Sequence, residues 1–243
     1  MVGPGSREPD TLETVDLHEL LSGKWEDGTR PRDLYERHVR HHPRRYVPAI
    51  MAGLGSNHAR VASGCAELAS LLSADHPEHL CQHLHSFLRN LAAPGKILRW
   101  EAVCTVGNLA AMDEASALGP HIDTMIAFLR DPSVVLQGHV ARALAKIARA
   151  FPGEASRILA ALQGAEGAFP GNRVGFLIEA MPPFIELGGF EESVRAFIAP
   201  HQQSKIRVVA RKAARVMALL PAGSPPRRRA TPRSGRRGAR RTS

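Results

Sequence analysis

The sequence predicts an all-α protein of stacked helix pairs, followed by an arginine-rich tail. Short breakers of Gly, Pro, Asn and Asp recur along the chain and separate segments of roughly 10 to 18 residues, the length of single helices. Only 5% of the residues are aromatic, and Ala, Leu, Val and Ile dominate the apolar set, which favours helices over long sheets. No strand-like run is followed by a hairpin signal.

The first 42 residues are predicted to be a leader and capping helices. Asp10 is the predicted N-cap of the first helix, and Pro31 and Pro43 delimit the second. The predicted elements are a flexible leader over 1–9, a helix over 11–22 and an amphipathic helix over 32–41.

Between residues 43 and 220 the helical segments pair into about five hairpins. Pro182-Pro183 lies inside the second helix of the fourth hairpin and must kink or end it, because proline cannot donate a backbone hydrogen bond. The first hairpin admits more than one register. The predicted hairpins span 43–74, 77–111, 119–150, 153–187 and 189–220.

Three of the second helices share a pattern of apolar and small residues. The clearest example follows the turn Asp131-Pro132 and places Leu136, Val140 and Leu144 on one stripe. Related patterns begin at Leu98 and Ile206, so the three starting points lie 38 and then 70 residues apart, and 70 is two repeats of 35. An Asp-Pro turn that leads into such a helix resembles the repeat of the HEAT-repeat (armadillo-type) family.

The resemblance to HEAT-repeat proteins implies a right-handed α-α superhelix, a solenoid of about five helix pairs over residues 43–220. One hairpin cannot bury its apolar stripe alone, so hairpins stack, and small residues such as Ala102 and Gly107 let neighbouring helices approach closely. In that family the second helices line a concave surface on which partners commonly bind.

The face of the second helices opposite the apolar stripe is the predicted partner-binding surface. On two consecutive repeats it is mixed to basic, which suits an acidic or polar peptide of a protein partner. An ordinary solvated helix face is the alternative interpretation. The predicted partner-binding residues are Glu101, Asn108, His139, Arg142, Lys146 and Arg149, with Cys104 and Ala111 on the same face.

Positive charge is concentrated at the C-terminal end. The net charge is +9, but the last forty residues carry thirteen Lys or Arg and no acid, so residues 1–203 carry −4. Residues 221–243 hold eight of these arginines among Pro, Gly and Ser, a composition typical of disorder. Such a tail predicts weak, salt-dependent binding of nucleic-acid phosphates, without base stacking because no aromatic residue is interleaved. An acidic protein partner, or a purely compositional origin with no partner, is the alternative interpretation.

The predicted nucleic-acid-binding residues lie on the last helix and in the tail. Those on the helix have a second interpretation, the polar outer coat that a terminal repeat needs for solubility. They are Arg211, Lys212, Arg215, Arg227, Arg228 and Arg229.

The sequence contains no motif for nucleophilic catalysis or phosphate binding, so no enzyme is predicted. His76, His79 and His83 follow helical spacing and could hold a metal, but only Asp75 supplies an acid at a matching spacing. The cluster is therefore interpreted as a solvated helix face, and no metal or cofactor is predicted.

A remaining alternative is a HEAT-like DNA glycosylase, a class that uses aromatic and acidic side chains in a basic groove. Trp100 next to Glu101 is the hint that favours it, and the acidic body argues against it.

Composition also predicts where the protein acts. Cys65, Cys81 and Cys104 have no CxxC pairing and sit in apolar helical contexts, as expected of free thiols in a reducing compartment. No stretch approaches the roughly 18 apolar residues that a membrane span requires. We therefore expect a soluble, cytoplasmic monomer.

Overall fold

The protein is all-α over residues 15–221, the part of the chain that the computed structural model describes. The predicted fold class is thus confirmed at the level of secondary structure, since no strand occurs within these residues. The predicted leader, its N-cap Asp10 and the tail residues Arg227, Arg228 and Arg229 lie outside the described residues.

Two short helical elements precede the hairpins. Helix α1 spans Leu17–Ser22, and the Asp16 carboxylate caps it by accepting from the N–H groups of His18 at 2.8 Å and Glu19 at 3.1 Å. Helix α2 spans Pro31–Leu34 and continues as a π-helical turn, Tyr35–Val39. Within the described residues the first helix is therefore shorter than predicted, and its cap is Asp16.

Five helix pairs follow, and their bounds fall within a few residues of the predicted hairpins. In each pair a first helix is followed by a second helix, which in the fourth pair is divided into two, and 3-10 turns extend several of the first helices. The pairs are α3 (Pro43–Gly53) with α4 (Ala59–Asp75), α5 (Leu84–Asn90) with α6 (Lys96–Leu109), α7 (Ile122–Ala127) with α8 (Val134–Ala150), α9 (Ala155–Gly164) with α10 (Val174–Glu179) and α11 (Pro182–Leu187), and α12 (Glu191–Ile198) with α13 (Arg207–Met217).

The second helices pack on one another in chain order. Helix α4 contacts α6, α6 contacts α8, α8 contacts α10 and α11, and α10 contacts α13. First helices pack against members of the same row, as α5 does on α6, α7 on α8 and α9 on α8. One continuous cluster of buried apolar side chains results, running from Leu17 to Leu220.

Glycine allows the closest of these approaches. A Cβ added at Gly107 on α6 would lie 2.7 Å from the Cβ of Ala143 on α8 and 2.8 Å from its Cα. Gly138 on α8 similarly faces the ring of Phe176 on α10, with ring atoms 3.3 Å from the position a Cβ would take. The small residue predicted to permit close packing at 107 therefore does so.

The proline pair interrupts the fourth hairpin as predicted. Helix α10 ends at Glu179, and α11 begins at Pro182. Prolines at the first positions of a helix lose no hydrogen bond, because those N–H groups have no partner within the helix. Met181, which precedes them, is fully buried, so the break is packed into the core.

The segment after α4 differs from the prediction. Residues 77–83 form two 3-10 turns, Pro77–His79 and Cys81–His83, rather than one α-helix. The α-helical spacing assumed for His76, His79 and His83 is therefore wrong, although His79 and His83 line one cavity.

The loop between α6 and α7 contains a residue with left-handed backbone. Ser116 has φ 54, and the carboxylate of Asp113 accepts from the N–H groups of Ala117 at 2.9 Å and Leu118 at 2.8 Å. The Asp113 side chain thus organises the tight turn that starts the third hairpin.

Over residues 15–221, no helix combines the length with the apolar composition required to cross a membrane.

Candidate functional site

A groove runs along the exposed side of α4, α6 and α8. Its cavity, about 220 Å³ in volume, is bounded by side chains of the three helices and is here named the α4–α6–α8 groove. Its lining includes Ser70, Cys104, Asn108, His139, Arg142 and Lys146.

Asn108 connects the three helices that form the groove. Its amide nitrogen donates to the backbone oxygen of Ser70 at 3.3 Å and to the hydroxyl of Ser73 at 2.9 Å, both on α4. Its amide oxygen accepts from the ammonium group of Lys146 on α8. Asn108 is thus occupied in holding neighbouring repeats together.

A second polar cluster joins α6 to α8 at one end of the groove. The thiol of Cys104 lies 3.0 Å from Nδ1 of His139, whose ring stacks on Trp100 with the centroids 6.4 Å apart. The indole N–H of Trp100 donates to Oε1 of Glu101 at 2.8 Å. Trp100 and Glu101, the pair that suggested a glycosylase, are thus hydrogen-bonded to each other.

Burial sets the protonation of this second cluster. It raises the pKa of Cys104 to about 12, with the charge of Glu101 acting in the same direction, and it lowers the pKa of His139, helped by Arg142. At neutral pH a protonated thiol therefore faces a neutral imidazole. Burial also raises the pKa of Glu101, although the hydrogen bond from Trp100 opposes the shift.

An aromatic ring separates two cations at the other side of α8. The guanidinium carbon of Arg142 lies 5.5 Å from the centroid of Phe176, and the ammonium nitrogen of Lys212 lies 5.6 Å from it. Lys212 also forms a salt bridge of 2.9 Å with Glu179. The surface thereby continues from α8 across α10 to α13.

The predicted partner-binding residues divide into two groups. Arg142, Lys146 and Arg149 are exposed along one face of α8, with Arg149 at 3.6 Å from Glu186. Glu101, Asn108 and His139 are half-buried and hydrogen-bonded within the groove wall. The expectation of a uniformly exposed row is therefore wrong for these last three, because neighbouring repeats come close enough to use their polar atoms.

The predicted nucleic-acid-binding residues on α13 also diverge. Arg211 and Arg215 are exposed, whereas Lys212 is half-buried and turned towards Phe176 and Glu179.

Sequence reasoning missed Ser70, Ser73 and Phe176. A usable signal existed for one of them, since Ser70 and Lys146 each lie 38 residues from Asn108, the same step that separates two of the repeat patterns. Nothing in the pattern indicated the contact of Phe176 with two cations.

Partial burial also changes the pKa of Lys146, one of the three cations on the exposed face of α8. Desolvation lowers the pKa of Lys146, and the nearby positive charges of Arg149 and Arg142 add to this effect. Three cations on one face therefore repel one another, and an incoming negative charge would relieve that repulsion.

The sequence matches no protein-family model and no curated protein. Among solved structures, it is similar to an engineered protein from the Northeast Structural Genomics Consortium, with 16% sequence identity and a TM-score of 0.54. The match covers 85% of this chain and 97% of the engineered chain. At this identity the similarity concerns the fold alone.

Proposed function

We propose that this protein is a non-enzymatic, HEAT-like helical-repeat scaffold whose α4–α6–α8 groove binds an acidic segment of a partner protein. The second helices follow one another in a continuous row, and polar residues 38 positions apart meet across it, as expected of a right-handed superhelix of repeated hairpins. Action as a cytoplasmic monomer belongs to the same proposal, and the three free cysteines support the cytoplasmic location.

The single observation that carries the proposal is the state of Arg142 and Lys146. Both are exposed, and within residues 15–221 neither has a carboxylate oxygen within the 4.0 Å of a salt bridge, whereas Arg149 and Lys212 each have one. Their positive charges are thus available to a ligand. Lys146 is also held by Asn108, which fixes its position before binding.

The surroundings favour a peptide over a nucleic acid. The half-buried Glu67 and Glu101 lie on α4 and α6, three residues before the groove residues Ser70 and Cys104. Glu186 lies 3.6 Å from Arg149 of α8, and Glu179 lies on α10. Residues 1–203 carry a net charge of −4. Arg142 and Lys146 form a small positive patch with acidic residues around it, which suits a short run of Asp or Glu. A longer polyphosphate backbone would extend past this patch and be repelled by those acidic residues.

The proposal is tested with a fluorescein-labelled peptide of alternating Glu and Leu and with capture of partners from native lysate, with and without nuclease. We expect Arg142→Glu/Lys146→Glu to weaken peptide binding by about tenfold or more, because two attractive charges become repulsive. The matched control is Arg89→Glu/Arg130→Glu, which makes the same charge change at two exposed arginines on first-helix segments.

Equal binding by both double variants would show that net charge alone attracts the peptide, and it would overturn the proposal. Capture that requires intact nucleic acid would do the same.

A second candidate function is association with DNA or RNA through the arginine-rich residues 221–243, and the exposed Arg211 and Arg215 on α13 favour it. Deletion must begin at residue 222, because Leu220 is buried and the backbone oxygen of Pro221 accepts from Arg195 at 2.7 Å. The deletion is expected to abolish binding of a labelled RNA at physiological salt and to leave peptide binding unchanged. Retained RNA binding would locate the interaction on the helices instead.

A further inference from the structure

We propose that His76, Glu78 and His79 form a binding site for a divalent transition-metal ion of the zinc class. Nδ1 of His76 lies 3.5 Å from Oε1 of Glu78, and Nε2 of His79 lies 3.6 Å from the same oxygen. Within the described part of the chain, these three ligand atoms all lie within 4.8 Å of one another.

The distances suit chelation better than hydrogen bonding. Separations of 3.5 Å and 3.6 Å are too long for good N–H···O hydrogen bonds. Two atoms bound to one tetrahedral zinc ion at about 2.0–2.2 Å are separated by about 3.3–3.6 Å. An ion at the centre of the triangle would therefore need only small side-chain movements.

The backbone holds the three ligands on one rigid turn. The N–H of His79 donates to the oxygen of His76 at 3.2 Å, and that of Leu80 donates to the oxygen of Pro77 at 3.0 Å. Pro77 opens this 3-10 turn with its restricted φ, and the fully buried Leu80 anchors it in the core. Such a turn keeps its ligands close together without help from a partner.

The side chains are accessible and have suitable chemistry. The exposed fractions are 35% for His76, 17% for His79 and 54% for Glu78, so an ion can enter from solvent. Two imidazoles and one carboxylate favour zinc, cobalt or nickel over calcium and magnesium, which prefer oxygen ligands alone.

Neighbouring charges leave the site open to a cation. The nearby carboxylate of Asp75 is occupied by the hydroxyl of Tyr35 at 2.7 Å and by Arg40 at 3.6 Å. Arg44 lines the cavity next to Glu78 and His79, and Arg45 lines a second cavity beside His79, so these two arginines are the opposing charges. With three protein ligands, the fourth tetrahedral position remains for water or for a donor from a bound partner.

The test is a titration of the full-length, tag-free protein with cobalt(II), followed by visible absorption and by displacement with zinc. We expect one equivalent to bind with the absorption bands of a tetrahedral site. Glu78→Gln and His79→Ala should each weaken binding by about tenfold or more, since they remove direct ligands. The matched control His85→Ala removes an exposed histidine one turn further along, in α5, and should bind as the wild type does.

Each outcome bears on the site. Glu78→Gln replaces one exposed atom without changing shape, so it decides the matter even if His79→Ala unfolds. No cobalt bands in the wild type, unchanged affinity in Glu78→Gln, or an equal loss in His85→Ala would overturn the proposal, the last because it indicates an adventitious ion on scattered histidines. The Arg142→Glu/Lys146→Glu variant should keep full cobalt affinity, which separates this proposal from the peptide-binding one.

Discussion

The ammonium group of Lys146 on α8 donates a hydrogen bond to the amide oxygen of Asn108 on α6, and the same amide donates to α4. Three consecutive second helices are therefore connected through one side chain. Ser70, Asn108 and Lys146 are evenly spaced at 38 residues. Each repeat therefore contributes a polar group from the equivalent position of its second helix.

Replacing Asn108 should destabilise the fold. Asn108→Ala removes the donors to Ser70 and Ser73, and the hydroxyl of Ser73 is buried, so we expect a loss of about 1–3 kcal/mol in the free energy of unfolding. Urea denaturation measures the change. Asn57→Ala, in an exposed loop, is the control and should stay within about 0.5 kcal/mol of wild type.

A double-mutant cycle measures the Asn108–Lys146 contact separately. Asn108→Ala, Lys146→Ala and the double variant should give a coupling free energy of about 0.5–1 kcal/mol. This value is small for a contacting pair because Lys146 is exposed. Additive effects would show that the bond contributes nothing to stability in solution.

Adding one methyl group at Gly107 should cost more than it gains. Alanine favours a helix by about 1 kcal/mol over glycine, but its Cβ would overlap Ala143, including its backbone, and overpacking costs about 1–3 kcal/mol. We expect Gly107→Ala to lower the melting temperature, as measured by circular dichroism. Gly164 is the last residue of α9, and no atom of another element lies within 4 Å of the position that a Cβ would take there. Gly164→Ala should therefore be neutral or stabilising. A stable Gly107→Ala would mean that α6 and α8 can move apart at no cost.

Removing the charge of Glu101 should have an effect that grows with pH. The pKa of Glu101 is raised by burial, so at about pH 4 and below the carboxyl group is protonated in both states and adds no penalty. As the pH rises from the pKa of the unfolded chain to the raised pKa of the folded protein, the unfolded chain ionises first, and stability falls across this window. Burial and the charge of Glu101 also raise the pKa of Glu67, so Glu101→Gln relieves both groups.

We therefore expect Glu101→Gln to match wild type in acid and to be more stable than wild type at neutral pH, as measured by urea denaturation at each pH. The exposed Glu114→Gln serves as the control. A difference between Glu101→Gln and wild type that is the same at both pH values would contradict the assignment of the penalty to ionisation.

The three cysteines should differ strongly in reactivity. Burial raises the pKa of both Cys65 and Cys104 to about 12, so at pH 8 only on the order of one in ten thousand of either is a thiolate. Cys81 is half-exposed at the start of a 3-10 turn. Ellman's reagent should label one thiol rapidly in the native protein, and Cys81→Ser should abolish that phase. Rapid labelling of two thiols would mean that the Cys104–His139 contact opens in solution.

The sequence predicted the helices of this fold well, because each signal was local. Breakers such as Asp131-Pro132 and Pro182-Pro183 act on the backbone directly, and they end helices where they were expected to. The first helices were less predictable, since nothing in the run from Pro77 to His83 distinguished two 3-10 turns from an α-helix. The fully buried Leu80 lies between these two turns, so their packing on the core is a tertiary contact that the local sequence does not reveal.

The site was predictable only in part for the same reason. Helical spacing placed Arg142, Lys146 and Arg149 correctly on an exposed face of α8, because one helix determines that face. It could not show that Asn108 and His139 are used by neighbouring repeats, since those bonds depend on the distance between helices. Glu78 was overlooked as a ligand because a helical spacing was assumed for a turn.

The left-handed backbone at Ser116 leaves the protein a margin for engineering. A residue with a Cβ pays about 1–2 kcal/mol to adopt this conformation, and asparagine tolerates it better because its short polar side chain bonds locally. Ser116 is exposed and belongs neither to the α4–α6–α8 groove nor to the proposed metal site at His76, Glu78 and His79. Ser116→Asn should therefore raise the free energy of unfolding, and a protein stabilised in this way would tolerate destabilising substitutions elsewhere without unfolding.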